Sequence, residues 1–142
     1  MILYLDTSAL VKAYVEEACS QLVLRSMRSA TTSASHQIAY VEAHAAFARL
    51  HREQVLNESE WETLKHEFMT DWEDYLQIGT TQSLLVRASV LAAGFALRAY
   101  DNVHLAAAQM LRESSEQTVL FACFDRKLTR AAGVLGLNLL KQ

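Results

Sequence analysis

The sequence predicts an α/β fold, in which a short and mostly parallel sheet carries helices on both faces. Short apolar runs of strand length alternate with longer segments whose apolar residues recur every three or four positions. The sequence contains no internal repeat, linker or low-complexity tract. We therefore expect residues 1–142 to form a single domain around one core.

The first third of the chain begins with the apolar run Ile2–Leu5, which predicts a strand buried on both faces. Asp6 follows directly and should lie at the carboxyl end of this strand, at the start of a helix that runs to about residue 15. Ser20 can cap a second helix, and residues 30–33 predict a brief second strand.

Two further helices are marked by their caps. Ser33 or Ser35 is expected to cap the third helix, whose apolar residues share one side. Asn57 opens the fourth helix with Glu60 three positions later, the spacing of a capping box. The apolar stripe of this fourth helix comprises Trp61, Leu64, Phe68, Trp72 and Tyr75.

The second half continues the same alternation. We expect strands at 76–80, 117–124 and 137–140, and helices at 83–97, 101–112 and 126–132. Asp101 is a plausible cap of the second of these helices. Asp125 follows its apolar strand as Asp6 follows the first one.

Composition excludes several classes of protein. With 51% hydrophobic and 20% charged residues, the chain resembles ordinary globular proteins. The longest apolar stretch, Val90–Leu97, is shorter than the ~18 residues that a membrane span needs, and Asp6 interrupts any signal-peptide segment. Cys19 and Cys123 lack the spacing of a zinc site or a disulfide framework. We expect a cytoplasmic protein with no membrane partner.

Four acidic residues, Asp6, Glu42, Asp101 and Asp125, dominate the functional interpretation. Ligands of open α/β sheets bind beyond the carboxyl ends of the strands, where Asp6 and Asp125 are expected. Glu42 lies two turns into its helix without a cation at the neighbouring helical positions. Carboxylates are the usual ligands of the hard cations that catalyse phosphodiester hydrolysis, so the set predicts a Mg²⁺-dependent nuclease site.

Each acid also has a purely structural interpretation. Asp6, Asp101 and Asp125 precede predicted helices, where aspartate is a favoured N-cap. Glu42 can extend into solvent or meet an arginine from another element. Capping does not explain why three caps meet Glu42 at one edge of the sheet, and it leaves a second carboxylate oxygen free for a metal ion.

Other polar residues take supporting roles. Thr7 and Ser8 can cap the first helix or orient the Asp6 carboxylate. The net charge of −3 gives little general attraction for nucleic acid, so phosphate binding needs metal ions and a local basic patch. Candidates for that patch are Lys12, Arg49, Arg98, Arg126, Lys127 and Arg130. The five histidines match no metal motif and are assigned to structure, with His104 packing or hydrogen-bonding near the start of its helix.

Four segments together resemble the PIN-domain family, and more narrowly the VapC-type toxins of bacterial toxin–antitoxin pairs. The segments are LDTSALVK, YVEAHAAFARL, FALRAYDNVHLAAA and FDRKLTRAAGVLGL, in the family's order and spacing. The resemblance implies a three-layer α/β/α sandwich with Asp6, Glu42, Asp101 and Asp125 as the catalytic, metal-binding residues. It also implies Mg²⁺- or Mn²⁺-dependent endonucleolytic cleavage of RNA, a homodimer, and a cognate antitoxin whose tail occupies the active-site groove.

The chain departs from the family pattern at two positions. Cys123 stands two residues before Asp125, where Thr or Ser is common near the acid, and Asn102 replaces a small residue after Asp101. Neither change removes a carboxylate. Cys123 in place of a hydroxyl-bearing residue can cost a hydrogen bond near the reacting phosphate.

Three alternatives accompany this hypothesis. The first is a housekeeping PIN nuclease of RNA maturation or DNA repair, and the second is a catalytically silent module that binds a partner, for which the acidic helix at 57–75 is a candidate surface. The third is phosphoryl transfer. It is disfavoured because Ser8 stands where a phosphatase needs a second Asp, and Gly79-Thr80 stand where a receiver needs its phosphorylated Asp.

Overall fold

A computed structural model describes residues 1–141. Within this range the strands are β1 (Ile2–Leu5), β2 (Thr32–His36), β3 (Leu76–Ile78), β4 (Val119–Ala122) and β5 (Asn138–Leu139). The helices are α1 (Thr7–Lys12), α2 (Ser20–Ser29), α3 (Ile38–Arg52), α4 (Glu58–Trp72), α5 (Gln82–Gly94), α6 (Ala99–Ser114) and α7 (Arg126–Val134).

The strands form one parallel sheet in the order β3-β2-β1-β4-β5. The central strand β1 is buried along its whole length and pairs with β2 on one side and β4 on the other. The chain builds outward from β1 in both directions, so the order reverses between β1 and β4. In an open α/β sheet this reversal opens a crevice beyond the carboxyl ends of the two strands.

Alternate residues of β1 contribute to two separate cores. Ile2 and Tyr4 pack with α5, α6 and α7 on one face, and Leu3 and Leu5 pack with α1, α3 and α4 on the other. This division follows from the two-residue period of a strand. The predicted three-layer α/β/α sandwich is confirmed, whereas a single domain over residues 1–142 stays a prediction.

Two predicted caps are wrong because β2 extends further than expected. Ser33 and Ser35 lie inside β2, and the Ser35 hydroxyl donates to the Leu5 carbonyl of the neighbouring strand at 2.7 Å. Gln37 stands at the N-cap of α3. The first N–H of that helix, from Ile38, donates to Nδ1 of His36, the last residue of β2, at 2.9 Å.

Of three other predicted helix caps, one is confirmed and two are wrong. The capping box of Asn57 and Glu60 is present, with both reciprocal hydrogen bonds at 2.8 and 2.9 Å. Cys19, in the left-handed region at φ 70°, rather than Ser20, is the N-cap of α2. Arg98 rather than Asp101 is the N-cap of α6, which begins two residues earlier than predicted.

Across residues 1–141 no single helix is both long and apolar enough to cross a membrane, and only α5 and α6 taken together, bent by 119°, reach that length and composition.

Candidate active site

A cavity of about 400 Å³ opens beyond the carboxyl ends of β1 and β4, and all four predicted acids line it. Four separate elements bring them there. Asp6 and Asp125 follow the two strands, Glu42 comes from α3, and Asp101 comes from the first turn of α6. Further side chains in the wall include Thr7, Ser8, Lys12, Arg49, Arg98, His104 and Phe124.

Asp6 is the most buried of the four acids, with 4% of its surface exposed. Its Oδ1 accepts hydrogen bonds from the Ala9 N–H at 3.0 Å and the Ser8 hydroxyl at 2.7 Å, so it is the N-cap of α1 as predicted. Burial raises the pKa of the Asp6 carboxyl above its usual value, although nearby His104 and the bonds from Ser8 and Ala9 act in the opposite direction. The site thus holds a carboxylate that a cation would stabilise.

Asp125 is the N-cap of α7, and its Oδ1 accepts from the Leu128 N–H at 2.9 Å. The Asp125 N–H in turn donates to the Cys123 sulfur at 3.4 Å. The Cys123 thiol therefore contacts the backbone that carries the acid. Burial, assisted by Asp6, raises the pKa of Cys123, which keeps the thiol neutral.

Asp101 lies three residues past the N-cap of α6, so capping does not account for it. Its Oδ2 lies 3.4 Å from Arg98 Nε, but the Arg98 side chain is 83% exposed. A long contact to a solvated guanidinium is a weak ion pair. Asp101 is consequently available to a ligand in the cavity.

Glu42 finds its partners on other elements. Its Oε1 accepts from the Thr7 hydroxyl at 2.7 Å and contacts His104 Nε2 at 2.9 Å. Burial by itself would raise the pKa of Glu42, but the bonds from His104 and Thr7, with the charge of Arg98, hold this pKa below its usual value. Glu42 is therefore a carboxylate at neutral pH.

His104 is the one site residue that sequence reasoning assigned to structure alone. Its ring is 2% exposed and bridges Tyr4 to Glu42, with the Tyr4 hydroxyl 2.9 Å from Nδ1. Two sequence signals pointed to it. His104 lies three positions after Asp101, on the same side of α6, and Tyr4 lies two positions before Asp6, on the same side of β1.

Each of the four carboxylates has one oxygen engaged by the protein. The engaged atoms are Asp6 Oδ1, Glu42 Oε1, Asp101 Oδ2 and Asp125 Oδ1. Within residues 1–141 the second oxygen of each accepts no hydrogen bond from an N–H or O–H group. Four carboxylates that line one cavity, each with an open oxygen, are the kind of group that hard divalent cations prefer.

The side chains as they stand do not form a closed coordination shell. No three His, Cys, Asp or Glu residues in the described range are close enough together to hold an ion by themselves. Mg²⁺ needs no such shell, because it keeps several waters and takes one or two carboxylates from the protein. The residues therefore fit Mg²⁺ or Mn²⁺, and their assignment as ligands stays a prediction.

The basic candidates fall into two groups. Lys12, Arg49 and Arg98 line the cavity, whereas Arg126, Lys127 and Arg130 lie outside its wall. Lys12 Nζ is 3.3 Å from Glu17 and sits 4.8 Å above the Phe124 ring. Positive side chains thus surround the acids on the α1, α3 and α6 sides of the opening.

Comparison with known proteins places the chain in a family. No family model matches it. Ribonuclease VapC45 and ribonuclease VapC49, from two strains of Mycobacterium tuberculosis, are each 30% identical to it over 95% of this chain and 92% of their own.

Solved structures have the same fold. A toxin–antitoxin complex from Klebsiella pneumoniae matches 99% of this chain and 98% of its own with a TM-score of 0.71 at 16% identity. FitAcB from Neisseria gonorrhoeae matches 99% of this chain and 97% of its own, with a TM-score of 0.67 at 18% identity. VapBC2 from Rickettsia felis, bound to a promoter DNA fragment, matches 98% and 97% at a TM-score of 0.65 and 14% identity. Together with the site geometry, the identity to the mycobacterial proteins shows that this chain belongs to the VapC ribonuclease family.

Proposed function

We propose that this protein is an Mg²⁺- or Mn²⁺-dependent endoribonuclease and the toxin of a VapBC-type toxin–antitoxin pair. One observation carries the proposal: four carboxylates from separate elements line one cavity, each with one oxygen engaged and the other open. Similarity to two curated VapC ribonucleases supports RNA as the substrate.

Asp6, Glu42, Asp101 and Asp125 would hold the divalent ions, directly or through water. When bound, the ion supplies a Lewis acid for attack of water on the phosphodiester and for charge on the leaving oxygen. The protein's own part is to orient these carboxylates. Ser8 and the Ala9 N–H fix Asp6, and Thr7 and His104 fix Glu42.

Lys12, Arg49 and Arg98 are placed to contact RNA phosphates at the rim of the cavity. The net charge of −3 gives the whole molecule little attraction for a polyanion. Local contacts from these three side chains, together with the bound ions, would attract the RNA instead. Such contacts position the backbone without reading the sequence.

A cleavage assay tests the proposal. Purified protein without antitoxin should cut structured or single-stranded RNA with Mg²⁺ or Mn²⁺ and lose cutting in EDTA. Asp6→Asn and Asp101→Asn should each lower the rate at least 100-fold, since each neutralises a proposed ligand. Glu73→Gln, on the exposed C-terminal end of α4, is the matched control. Metal-independent cleavage, or fully active variants, would refute the mechanism.

The toxin assignment has its own test against a housekeeping nuclease. The solved neighbours include a toxin–antitoxin complex and a VapBC complex, which supports an antitoxin partner. The proposal further takes the protein to be a homodimer that acts on cytoplasmic RNA. Expression of this protein should arrest growth, and co-expression of the small protein encoded beside it should restore growth. Growth unaffected by an active enzyme would favour the housekeeping alternative.

A further inference from the structure

A hydrogen-bonded chain of three buried or half-buried side chains links β1, α6 and α3 beneath the cavity. The Tyr4 hydroxyl lies 2.9 Å from His104 Nδ1, and His104 Nε2 lies 2.9 Å from Glu42 Oε1. Tyr4 is 0% and His104 2% exposed. Both nitrogens of a buried imidazole are thus satisfied by protein partners.

The direction of each bond follows from what the groups can donate. A carboxylate only accepts, so Nε2 must carry the proton that is shared with Glu42. In the tautomer that carries only this proton, Nδ1 is an acceptor, and the Tyr4 hydroxyl 2.9 Å away can donate to it. Tyr4 thereby selects the tautomer that can bind Glu42.

The consequence for Glu42 is a fixed carboxylate plane. Oε1 receives both His104 Nε2–H and the Thr7 hydroxyl, from helices α6 and α1. With Oε1 held from two directions, rotation about the last side-chain bond is restricted, and Oε2 is left for a ligand. His104 itself does not need to touch that ligand.

We infer that His104, held by Tyr4, is a positioning residue that fixes the Glu42 carboxylate for the divalent ion. This inference rests on the proposed function, since it assigns a role within the same site. A partner that orients a metal-binding carboxylate is worth about 10- to 100-fold in metal affinity or activity.

The variants separate the Nε2 donor from the bulk of the ring. His104→Leu removes the donor, whereas His104→Gln can place an amide N–H near the Nε2 position. Tyr4→Phe removes only the hydroxyl, because the ring stays stacked on Phe121 at 5.6 Å. The matched control is His51→Leu, which breaks a His–Glu contact of the same 2.9 Å length on α3, to Glu58 and away from the cavity.

Mn²⁺ affinity by calorimetry is the first measurement, and RNA cleavage is the second. We expect His104→Leu to weaken Mn²⁺ binding about tenfold and to lower kcat about tenfold, with KM for RNA changing less than about twofold. His104→Gln should recover most of both losses, Tyr4→Phe should lose about threefold, and His51→Leu should bind Mn²⁺ as the parent does. Thermal unfolding confirms that each variant is folded.

A double-mutant cycle excludes a merely structural role. If His104 acts through Glu42, His104→Leu should have no further effect on Mn²⁺ affinity in a Glu42→Gln background. Additive losses, or an unchanged His104→Leu in a parent that binds metal and cleaves RNA, would overturn the inference alone. A parent that binds Mn²⁺ without cleaving RNA would overturn the proposed function, while the binding cycle still decides the role of His104. A parent that binds no Mn²⁺ would overturn both.

Discussion

The hydroxyl of Ser8 accepts a hydrogen bond from the backbone N–H of Phe124, 116 residues away, at 3.1 Å. The same hydroxyl donates to Asp6 Oδ1 at 2.7 Å. One side chain therefore ties the end of β1 to the end of β4 and orients the most buried acid. Asp125 follows Phe124 directly, so this bond also fixes the backbone next to a second carboxylate.

Ser8→Ala should lower the cleavage rate about tenfold and weaken Mn²⁺ binding, because both bonds of the hydroxyl are lost. We expect the free energy of unfolding to fall by about 1 kcal/mol. Ser8→Thr keeps the hydroxyl and should retain most of the activity. Ser29→Ala, which removes an exposed hydroxyl bond to Arg25 on α2, is the control. Equal activity of the two alanine variants would show that Ser8 does not orient Asp6.

Asp6→Asn should stabilise the metal-free protein at pH 7. Burial raises the pKa of Asp6, so the folded state holds this proton more tightly than the unfolded chain. The stability that protonated Asp6 contributes is therefore lost as the pH rises from about 3.9, the pKa of the unfolded chain, through the higher pKa of the folded state. The amide keeps Oδ1 as an acceptor and removes the buried charge, which should raise Tm in EDTA by roughly 2–4 °C.

Bound Mn²⁺ should reverse this difference in stability, so that the parent unfolds at a higher temperature than Asp6→Asn. Mn²⁺ is expected to raise the Tm of the parent, since an ion that binds only the folded state stabilises it, and to leave Asp6→Asn nearly unchanged. Differential scanning fluorimetry with EDTA and with Mn²⁺ measures both effects. Asp74→Asn, at an exposed aspartate after α4, controls for loss of charge alone. A destabilised Asp6→Asn in EDTA would contradict this account.

His36 predicts an acid-sensitive stability that is separate from catalysis. Burial, with nearby His104, lowers its pKa to about 4, although Glu42 acts in the opposite direction. The unfolded chain binds the proton at a pH near 6.5 and the folded state only near 4, so stability is lost as the pH falls through this window. Protonation would also break the bond from the Ile38 N–H to Nδ1 that begins α3.

Urea unfolding between pH 7 and 4 measures this effect. The parent should lose on the order of 2 kcal/mol from this one group, and His36→Asn, which keeps an acceptor for Ile38 without a titrating ring, should lose less. His66→Asn, at an exposed histidine of α4, should follow the parent. If the free energy of unfolding fell equally with pH in all three proteins, His36 would not be the cause of the acid sensitivity.

Arg49→Gln should weaken RNA binding and make it less sensitive to salt. Arg49 lines the cavity, and loss of one phosphate contact lowers the slope of log affinity against log salt by about 0.7 for a single strand. Arg52→Gln, three residues further on α3 and outside that wall, is the matched control. Binding should be measured by fluorescence anisotropy in EDTA from 50 to 200 mM salt, roughly the range in which counterion release is resolved. The same loss in both variants would indicate a general charge effect.

Cys123→Val should lower turnover several-fold with little change in folding. The substitution conserves an apolar side chain but removes the sulfur that accepts from the Asp125 N–H at 3.4 Å. Cys123→Ser keeps an acceptor there and should cleave at least as fast as the parent, at a cost of about 1 kcal/mol for the buried hydroxyl. Single-turnover cleavage with saturating Mn²⁺ compares them. Equal rates for valine and serine would mean that this contact does not matter.

The sequence alone determined the alternation of strands and helices, the capping box of Asn57 and Glu60, and the convergence of four acids at one edge of the sheet. Those features are local or follow from parallel strands ending at one edge. It also showed that Glu42 has no cation at the neighbouring positions of its own helix.

Only the tertiary structure decided which residues are the partners of Glu42. Pairing with β1 drew Ser33 and Ser35 into β2, where either a cap or a strand fitted the local sequence. The His104 bridge needs Tyr4 and Glu42, which are 100 and 62 residues away in sequence. Contacts of that separation depend on how helices pack across the sheet. The local spacings that place His104 beside Asp101 and Tyr4 beside Asp6 do not specify that the two side chains meet.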